Sequence, residues 1–195
     1  MFRALALVTL ALTVFATPVA EKRQSCADVI VFFARGTTET APIGTIVGPP
    51  LEAALSAQLG SKTLSFNGVD YPADVAGFLE GGDPAGSTTM AQDLTNAASS
   101  CPSAALITVG YSQGAQLVHN SAKQISSSVA SRIKAAVTFG DPDNGQQVQG
   151  VASNNFDLIC HVGDDICAGG DEILEPHLTY GMDTPAAAAF IVARV

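Results

Sequence analysis

The stretch that most constrains this chain is 109–115, which reads VGYSQGA and places the pattern G-x-S-x-G around Ser112. The apolar run ALITV at 105–109 precedes the motif and is typical of a buried strand. The residues that follow, 115–126, can continue as a helix with apolar side chains along one side. A strand, a sharp turn and a helix in this order would lift the Ser112 hydroxyl clear of a sheet. Ser112 is therefore a candidate nucleophile.

Apolar runs and helical patterns alternate along the rest of the chain. We predict further strands at 28–34, 63–66, 135–139 and 156–160, and further helices at 50–59, at 87–99 with Ser87 as N-cap, and from Thr184 towards Val195. The stretch 67–86, rich in Gly, Asp and Pro, is predicted to be a loop. Strands that alternate with helices imply a parallel sheet covered on both faces. The expected fold is a single-domain α/β three-layer sandwich of about five mostly parallel strands, with helices on both faces.

The first 16 residues have the composition of a secretory signal, because Arg3 is followed by an uninterrupted run of apolar to weakly polar residues, with small residues near its end. The run is shorter than the about 20 apolar residues that a membrane span needs, so we expect no span. Cleavage is predicted after Ala16 or Ala20. A second cut after the dibasic pair Lys22-Arg23 would remove a short propeptide, 17–23. The catalytic domain would then occupy 24–195 of a secreted, extracellular protein.

The charge balance of that domain is strongly acidic. Removal of residues 1–23 takes away three of the nine basic residues and one of the eighteen acidic ones, which leaves a net charge of −11. Such a surface is unlike the clustered Lys and Arg that nucleic-acid binding demands. We therefore expect no nucleic-acid partner.

The four cysteines predict two disulfides, because they follow a secretory signal and are even in number. Cys160 and Cys167 are close in sequence with Gly163 between them, which favours a local pair and leaves Cys26 with Cys101. No two cysteines have the C-x-x-C spacing of a metal site. We expect neither a metal nor an organic cofactor.

A serine nucleophile needs a general base, and the chain has only three histidines. His119 lies seven residues after Ser112 on the same predicted helix, about 10 Å along its axis, and is expected to be a partly buried or surface histidine. His161 is a possible but poor base, because it lies only three positions from the nearest aspartate, which leaves little chain to bring the two side chains together. His177 lies in a loop beyond the other candidates, where it can hang over the strand ends. His177 is therefore the predicted base.

The base needs a carboxylate to orient it, and Asp164 is the predicted one. Asp164 follows Gly163 inside the loop that the local disulfide would close, just beyond a buried strand. Asp165 is the rival, and either aspartate could instead serve as a turn or capping residue. With Asp164, the chain order is nucleophile, acid, base, as in α/β-hydrolases.

An oxyanion hole needs two donors near the nucleophile. The N–H of Gln113 at the start of the helix is one candidate. The N–H of Thr37, with its hydroxyl as a further donor, is the other, because Gly36 permits an unusual backbone in the loop after the first strand. The alternative for that loop is an ordinary turn, with Arg35 and Glu39 as a structural ion pair.

Taken together, four segments of this chain resemble the fungal cutinases, small secreted serine esterases of the α/β-hydrolase class. The matching segments are FARGTTE at 33–39, GYSQGA at 110–115, CHVGDDIC at 160–167 and PHLTYG at 176–181. The resemblance implies the same triad, the same oxyanion hole, both disulfides and a sheet of five strands. It also implies a substrate class, namely the ester bonds of cutin and of short to medium acyl esters. We expect a monomer that acts on a polyester or a small ester.

One segment departs from the family pattern, and another favours a related activity. The lip before the predicted base reads DEILE at 171–175, where the family predicts a largely apolar stretch, so only Ile173 and Leu174 would grip an acyl chain. FGDP at 139–142 resembles the acetylxylan esterases of the same sequence family. A secreted surface-binding protein that has lost its chemistry is the alternative from a different class.

Overall fold

The computed structural model describes residues 26–195, and the predicted signal and propeptide lie outside this range. Five strands form one sheet: β1 Val29–Ala34, β2 Leu64–Gly68, β3 Ala105–Tyr111, β4 Ile133–Phe139 and β5 Phe156–Ile159. They lie in the order β2-β1-β3-β4-β5, and every neighbouring pair is parallel. The carboxyl ends of the strands therefore meet along one edge of the sheet, where sites form in folds of this type.

Helices cover both faces of the sheet. They are α1 Gly48–Gln58, α2 Val75–Leu79, α3 Pro84–Ser100, α4 Gln113–Ala122, α5 Ser127–Ala130 and α6 Thr184–Val192. Side chains of α3 and α4 pack on one face, and side chains of α1 and α6 pack on the other. Strand β1 supplies both cores in alternation, with Phe32 in the first and Phe33 in the second, because successive side chains of a strand point to opposite faces. The predicted three-layer α/β sandwich is confirmed.

The segment predicted to be a loop, 67–86, is more ordered than its composition indicates. It contains α2, whose N-cap Asp74 accepts a hydrogen bond from the N–H of Gly77, and it ends inside α3. The N-cap of α3 is Asp83, so the prediction of Ser87 in that role is wrong. Pro84 suits the first helical turn because its missing N–H would have no partner there. The Ser87 hydroxyl instead donates to the carbonyl of Asp83.

The helix after Ser112 is shorter than predicted. It spans Gln113–Ala122, and a separate short helix, α5, begins after Ser126. The Ser126 hydroxyl accepts a hydrogen bond from the N–H of Val129, so this serine starts a new helix and does not continue the old one.

Two disulfides link the cysteines in the pairs that the sequence favoured. Cys26–Cys101 joins the segment before β1 to the end of α3, and Cys160–Cys167 closes the loop after β5. In the described part of the chain, no helix is both long and apolar enough to cross a bilayer.

Candidate active site

Ser112 stands on a strained turn between β3 and α4. Its backbone has φ 57° and ψ −122°, a conformation that costs a non-glycine residue about 1–3 kcal/mol. Both glycines of the motif are required by close approach. A Cβ on Gly110 would lie 2.1 Å from the carbonyl oxygen of Gly114, and a Cβ on Gly114 would lie 1.9 Å from that of Ala34. The motif therefore lets β3, α4 and β1 meet behind the serine.

His177 and Asp164 complete a chain of hydrogen bonds that begins at Ser112. The Nε2 atom of His177 lies 3.0 Å from the Ser112 Oγ. Its Nδ1 atom lies 2.9 Å from Oδ2 and 3.0 Å from Oδ1 of Asp164. An ionised carboxylate can only accept, so Nδ1 carries the proton and Nε2 is free to accept the serine proton. The three side chains come from three segments that follow β3, β5 and the disulfide loop.

The Asp164 carboxylate is buried but well supplied with donors. Its Oδ1 accepts the N–H of Ile166 at 3.0 Å, and its Oδ2 accepts the hydroxyl of Tyr180 at 2.6 Å. Burial by itself raises the pKa of Asp164, but the hydrogen bonds from Tyr180 and His177 outweigh it and hold the pKa below the ordinary carboxyl value. The aspartate is therefore ionised at neutral pH and can stabilise a positive charge on the imidazole.

Thr37 lies opposite the serine, linked to Gln113 at the start of α4. The side-chain amide of Gln113 donates to the Thr37 Oγ1 at 3.0 Å and to the carbonyl of Asp74 at 2.6 Å. Because a carbonyl can only accept, the amide nitrogen must face both oxygens. The Thr37 hydroxyl is then an acceptor from Gln113, and its own proton has no acceptor within residues 26–195. The N–H of Gln113 is in the first helical turn, where no intrahelical partner exists.

The loop that carries Thr37 is held by Glu39 rather than by an ion pair. The Glu39 carboxylate accepts the main-chain N–H groups of Gly36, Thr45 and Ile46 at 2.8 to 2.9 Å. Arg35 donates to the carbonyl of Glu39, not to its carboxylate, so the alternative of a structural ion pair between the two side chains is wrong. A further bond runs from the N–H of Thr38, at φ 63°, to the carbonyl of Ala73.

The rival histidines and the rival aspartate have other partners. His119 is more buried than predicted, at 2% exposure, with its Nε2 2.9 Å from Asp141. The two ring nitrogens of His161 lie 2.8 Å from the Asp183 carboxylate and 2.9 Å from the carbonyl of Pro176. Asp165 accepts the N–H of Glu172. None of these groups reaches Ser112 with a hydrogen bond in the described structure.

Ser112, His177 and Thr37 line a cleft of about 470 Å³ beside the strand ends. Its apolar lining includes Val75 and Phe78 of α2, together with Ile173 and Leu178. Ser112 is only 3% exposed, so it lies at the floor of this cleft. A substrate must therefore place its carbonyl among the apolar side chains that line the cleft.

The sequence did not indicate the roles of several residues of the site. The α2 wall fell in a predicted loop, although Asp74 before a helix-compatible run was a usable N-cap signal. For Glu39 the sequence suggested only an ion pair with Arg35, and Tyr180 stood only inside the PHLTYG segment, because no local pattern indicates which distant groups these side chains contact. Asp171 also lines the cleft and confirms that an acidic group borders it.

Comparisons with known proteins agree on one family. The family model described as Cutinase matches residues 25–195. A cutinase of Botryotinia fuckeliana is 58% identical over 188 residues, which cover 96% of this chain and 93% of that protein. The structure of a Trichoderma reesei cutinase in complex with a phosphonate inhibitor has a TM-score of 0.83 at 45% identity, over 86% of this chain and 76% of that one.

A more distant structure shares the fold alone. An acetylxylan esterase aligns with a TM-score of 0.71 at 22% identity, over 87% of this chain and 99% of that one. The family model and the high identities, by contrast, show the family. The chain belongs to the cutinase family and is a carboxylic ester hydrolase.

Proposed function

We propose that this protein is a secreted serine esterase that hydrolyses cutin and short to medium acyl esters through an acyl-enzyme on Ser112. The single observation that carries the proposal is the continuous hydrogen-bonded path from the Ser112 hydroxyl through His177 to Asp164. A hydroxyl on a strained turn, next to a base that a buried carboxylate orients, is the arrangement that nucleophilic acyl transfer needs.

The first half of the reaction uses the imidazole as a base. His177 Nε2 takes the proton from Ser112 as the Oγ attacks the ester carbonyl, and Asp164 stabilises the imidazolium that forms. The N–H groups of Thr37 and Gln113, with the Thr37 hydroxyl, would hold the negative charge on the tetrahedral carbonyl oxygen. The imidazolium then returns the proton to the leaving alcohol, which departs and leaves the acyl group on the serine.

The second half repeats these steps with water. Water attacks the acyl-enzyme as His177 removes its proton, a second tetrahedral oxyanion collapses, and the carboxylic acid leaves with Ser112 reprotonated. Every proton in this cycle passes through the imidazole of His177, which exchanges it with Ser112, the leaving alcohol or water. The described side chains can therefore complete both halves without another reactive group.

The shape of the cleft supports an acyl substrate of modest length. Phe78 and Ile173 offer apolar surface in the cleft, and Leu178 and Ile173 are about half exposed, which leaves them open to contact with a chain or a polymer. Each buried methylene would contribute about 0.8 kcal/mol. A phosphonate inhibitor is bound in the structure of the Trichoderma reesei cutinase, and a phosphonate is therefore a suitable probe for this site.

The decisive experiment replaces Ser112 with alanine. Purified wild-type protein should hydrolyse p-nitrophenyl butyrate, and Ser112→Ala should lose at least about 10³-fold in kcat while it stays folded. Ser121→Ala is the matched control, because it removes a buried hydroxyl from the same helix, where the group only bonds the carbonyl of Val118. Equal hydrolysis by wild type and Ser112→Ala would exclude the proposed mechanism and favour a surface-binding role.

The acetylxylan alternative can be separated by a substrate panel. The FGDP segment at 139–142 is the sequence observation that favours it. Acetyl, butyryl and octanoyl esters, acetylated xylan and cutin should be compared at one enzyme concentration. Preference for butyryl or longer esters, together with release of monomers from cutin, supports the proposed substrate. Preference for acetylated xylan would favour the alternative.

Secretion, processing and a monomeric state are parts of the same proposal. The apolar leader and the dibasic pair Lys22-Arg23 support export and a second cut, so the secreted protein should begin at Gln24. N-terminal sequencing that finds Thr17 would contradict the second cut. Sedimentation of the secreted protein should give the mass of one chain.

A further inference from the structure

Tyr180 is a fully buried tyrosine whose hydroxyl lies 2.6 Å from Oδ2 of Asp164. It stands three residues after His177, in the 3₁₀ helix Tyr180–Asp183. The mechanism proposed above does not use it. Its hydroxyl nevertheless touches the same carboxylate oxygen that lies 2.9 Å from the imidazole of His177.

The direction of this hydrogen bond follows from its other partner. The main-chain N–H of His161 donates to the Tyr180 oxygen at 2.8 Å. A phenol has one proton, and a carboxylate can only accept, so the tyrosine proton must point at Asp164. Burial raises the pKa of Tyr180, and its contact with Asp164 adds to this, so the phenol keeps its proton at every working pH.

Packing holds the phenol ring in place independently of that bond. The ring of Tyr180 stacks on the imidazole of His161 with centroids 4.1 Å apart and planes inclined by 22°. The ring also contacts Phe139 at 6.2 Å and His177 at 6.0 Å, both edge-on, and Tyr111 at 6.1 Å with the planes inclined by 60°. Because the ring is held by these contacts, the hydroxyl occupies a set position, and the carboxylate must come to it.

We propose that Tyr180 is a positioning residue of the triad, whose hydroxyl holds the Asp164 carboxylate in line with His177 and shares its negative charge. The proposal rests on the proposed role of Ser112, His177 and Asp164, and it adds a fourth side chain to that path. Two effects follow. The carboxylate keeps the orientation in which it accepts the imidazole proton, and it is less basic than it would be with the imidazole as its only side-chain donor.

The second effect can be read from the pH dependence of the reaction. The titratable or charged groups around this cluster are Asp164, His177, His161, Tyr111, Glu39 and Asp183. Without the hydrogen bond from Tyr180, the negative charge of Asp164 would be less neutralised. The carboxylate would then stabilise the imidazolium of His177 more strongly. The protonated, inactive form would then persist to higher pH, and the acid limb of kcat/KM would move upward.

The direct test is Tyr180→Phe, which keeps the ring and its stacking on His161. We expect kcat for p-nitrophenyl butyrate to fall about tenfold with KM unchanged, because the carboxylate is no longer held. We expect the acid limb of kcat/KM to rise by about one pH unit, the scale of one charge-assisted hydrogen bond. A merely structural tyrosine would lower stability and leave the acid limb in place.

Tyr111→Phe is the matched control. It removes another buried hydroxyl beside the same histidine, but that hydroxyl donates to the main-chain carbonyl of His177 at 2.8 Å, which does not titrate. Its acid limb should stay where the wild-type limb lies. If Tyr180→Phe shows no upward shift, or shifts no more than Tyr111→Phe, the proposal is overturned.

A second measurement needs no variant at position 180. The chain has three tyrosines, and the hydroxyls of Tyr71 and Tyr111 both donate to main-chain carbonyls. Replacement of all tyrosine by fluorotyrosine makes each hydroxyl a stronger donor, but only the hydroxyl at position 180 donates to a carboxylate. The acid limb should then move to lower pH, opposite to Tyr180→Phe. An unmoved or raised limb would contradict the proposal.

Failure of this proposal can be told apart from failure of the proposed function. If Ser112→Ala stays as active as the wild type, the triad mechanism itself is wrong. If Ser112→Ala is inactive but Tyr180→Phe behaves as the wild type, only the role of Tyr180 is wrong. In the Ser112→Ala background, the low-field proton resonance of the His177 Nδ1–H should also shift on Tyr180→Phe, which gives a readout without turnover.

Discussion

The side-chain amide of Gln113 donates a hydrogen bond of 3.0 Å to the hydroxyl of Thr37, although 76 positions separate the two residues. This bond connects the helix after the nucleophile to the loop after β1. Since the hydroxyl accepts from Gln113, its proton is aimed elsewhere, and the cleft is the space that it faces. The Gln113 side chain thus holds the start of α4 and the loop of Thr37, which together would form the oxyanion hole, at a set distance from each other.

Thr37→Val should remove this hydroxyl while it keeps the size and β-branching of the side chain. We expect kcat to fall about 10²-fold, the usual loss for one oxyanion donor, with a small change in KM. Steady-state assays with p-nitrophenyl butyrate will measure both kcat and KM. Thr37→Ser keeps the hydroxyl and should stay within a few-fold of wild type, so equal losses in the two variants would show that the hydroxyl has no such role.

The two disulfides should differ in what they support. The Cys26–Cys101 bond closes a separation of 75 residues and should stabilise the fold by about 4–5 kcal/mol, whereas Cys160–Cys167 closes one of 7 and should contribute about 2–3 kcal/mol. Only the second bond closes the loop that carries Asp164. Replacement of both cysteines of one pair by serine, followed by urea unfolding and kcat measurement, separates the two effects.

We expect the Cys26–Cys101 variant to lose more stability and less kcat, and the Cys160–Cys167 variant to show the reverse order. Identical ratios of kcat loss to stability loss in the two variants would contradict a local role for the short loop. The measurements should be made at a temperature where both variants remain folded.

His161 should make the fold more stable at mildly acidic pH. Burial lowers the pKa of His161, but its hydrogen bonds to the carbonyl of Pro176 and to the Asp183 carboxylate outweigh this, so the pKa is raised. A raised folded-state pKa contributes stability below the unfolded value of about 6.5, and the contribution disappears as pH rises through the folded pKa. Both side chains are partly exposed, so we expect less than about 1 kcal/mol.

Asp183→Asn is the variant that tests it. Between mildly acidic and mildly basic pH, the urea midpoint of wild type should fall as His161 loses its proton, and the variant should show a smaller fall. Asp171→Asn is the control, since no hydrogen bond joins it to His161 in the described chain. A fall of equal size in all three proteins would exclude the pair as its cause.

Asp171 should limit the length of acyl chain that the cleft accepts. It lines the cleft beside Ile173, and a long chain laid against that wall would exclude water from a carboxylate, which is unfavourable. We expect Asp171→Asn to raise the octanoyl-to-butyryl ratio of kcat/KM about threefold or more, since removal of the charge lowers that cost. Glu172→Gln, one residue on but not part of the cleft lining, should leave the ratio unchanged. A wild-type ratio in Asp171→Asn would contradict the role.

Much of the fold could be predicted because its signals are local. The apolar runs of β1, β3 and β4 are buried on both faces, so their composition alone identifies central strands of a parallel sheet. The turn at Ser112 could be predicted for the same reason, since the two glycines that it needs stand two residues on either side. The largest error fell in 67–86, where a short helix such as α2 has too few residues for its periodicity to be seen.

The order of parts along the chain was also enough to name candidates for the triad. Elimination among three histidines, with a loop that two nearby cysteines can close, left His177 and Asp164 as the predicted partners of Ser112. The structure brings these groups within hydrogen-bonding distance, and it places the two rival histidines against Asp141 and Asp183 instead.

By itself, then, the sequence determined the strand pattern, the strained serine turn, the number of disulfides and a short set of candidate residues. Only the tertiary structure decided that the Glu39 carboxylate holds the loop of Thr37 and that α2 forms a wall of the cleft. It also decided that the Tyr180 hydroxyl faces the carboxylate of Asp164. The reason is physical: local patterns report backbone preference and burial, whereas these contacts join segments whose separation is set by how strands pair and how loops pack over their ends.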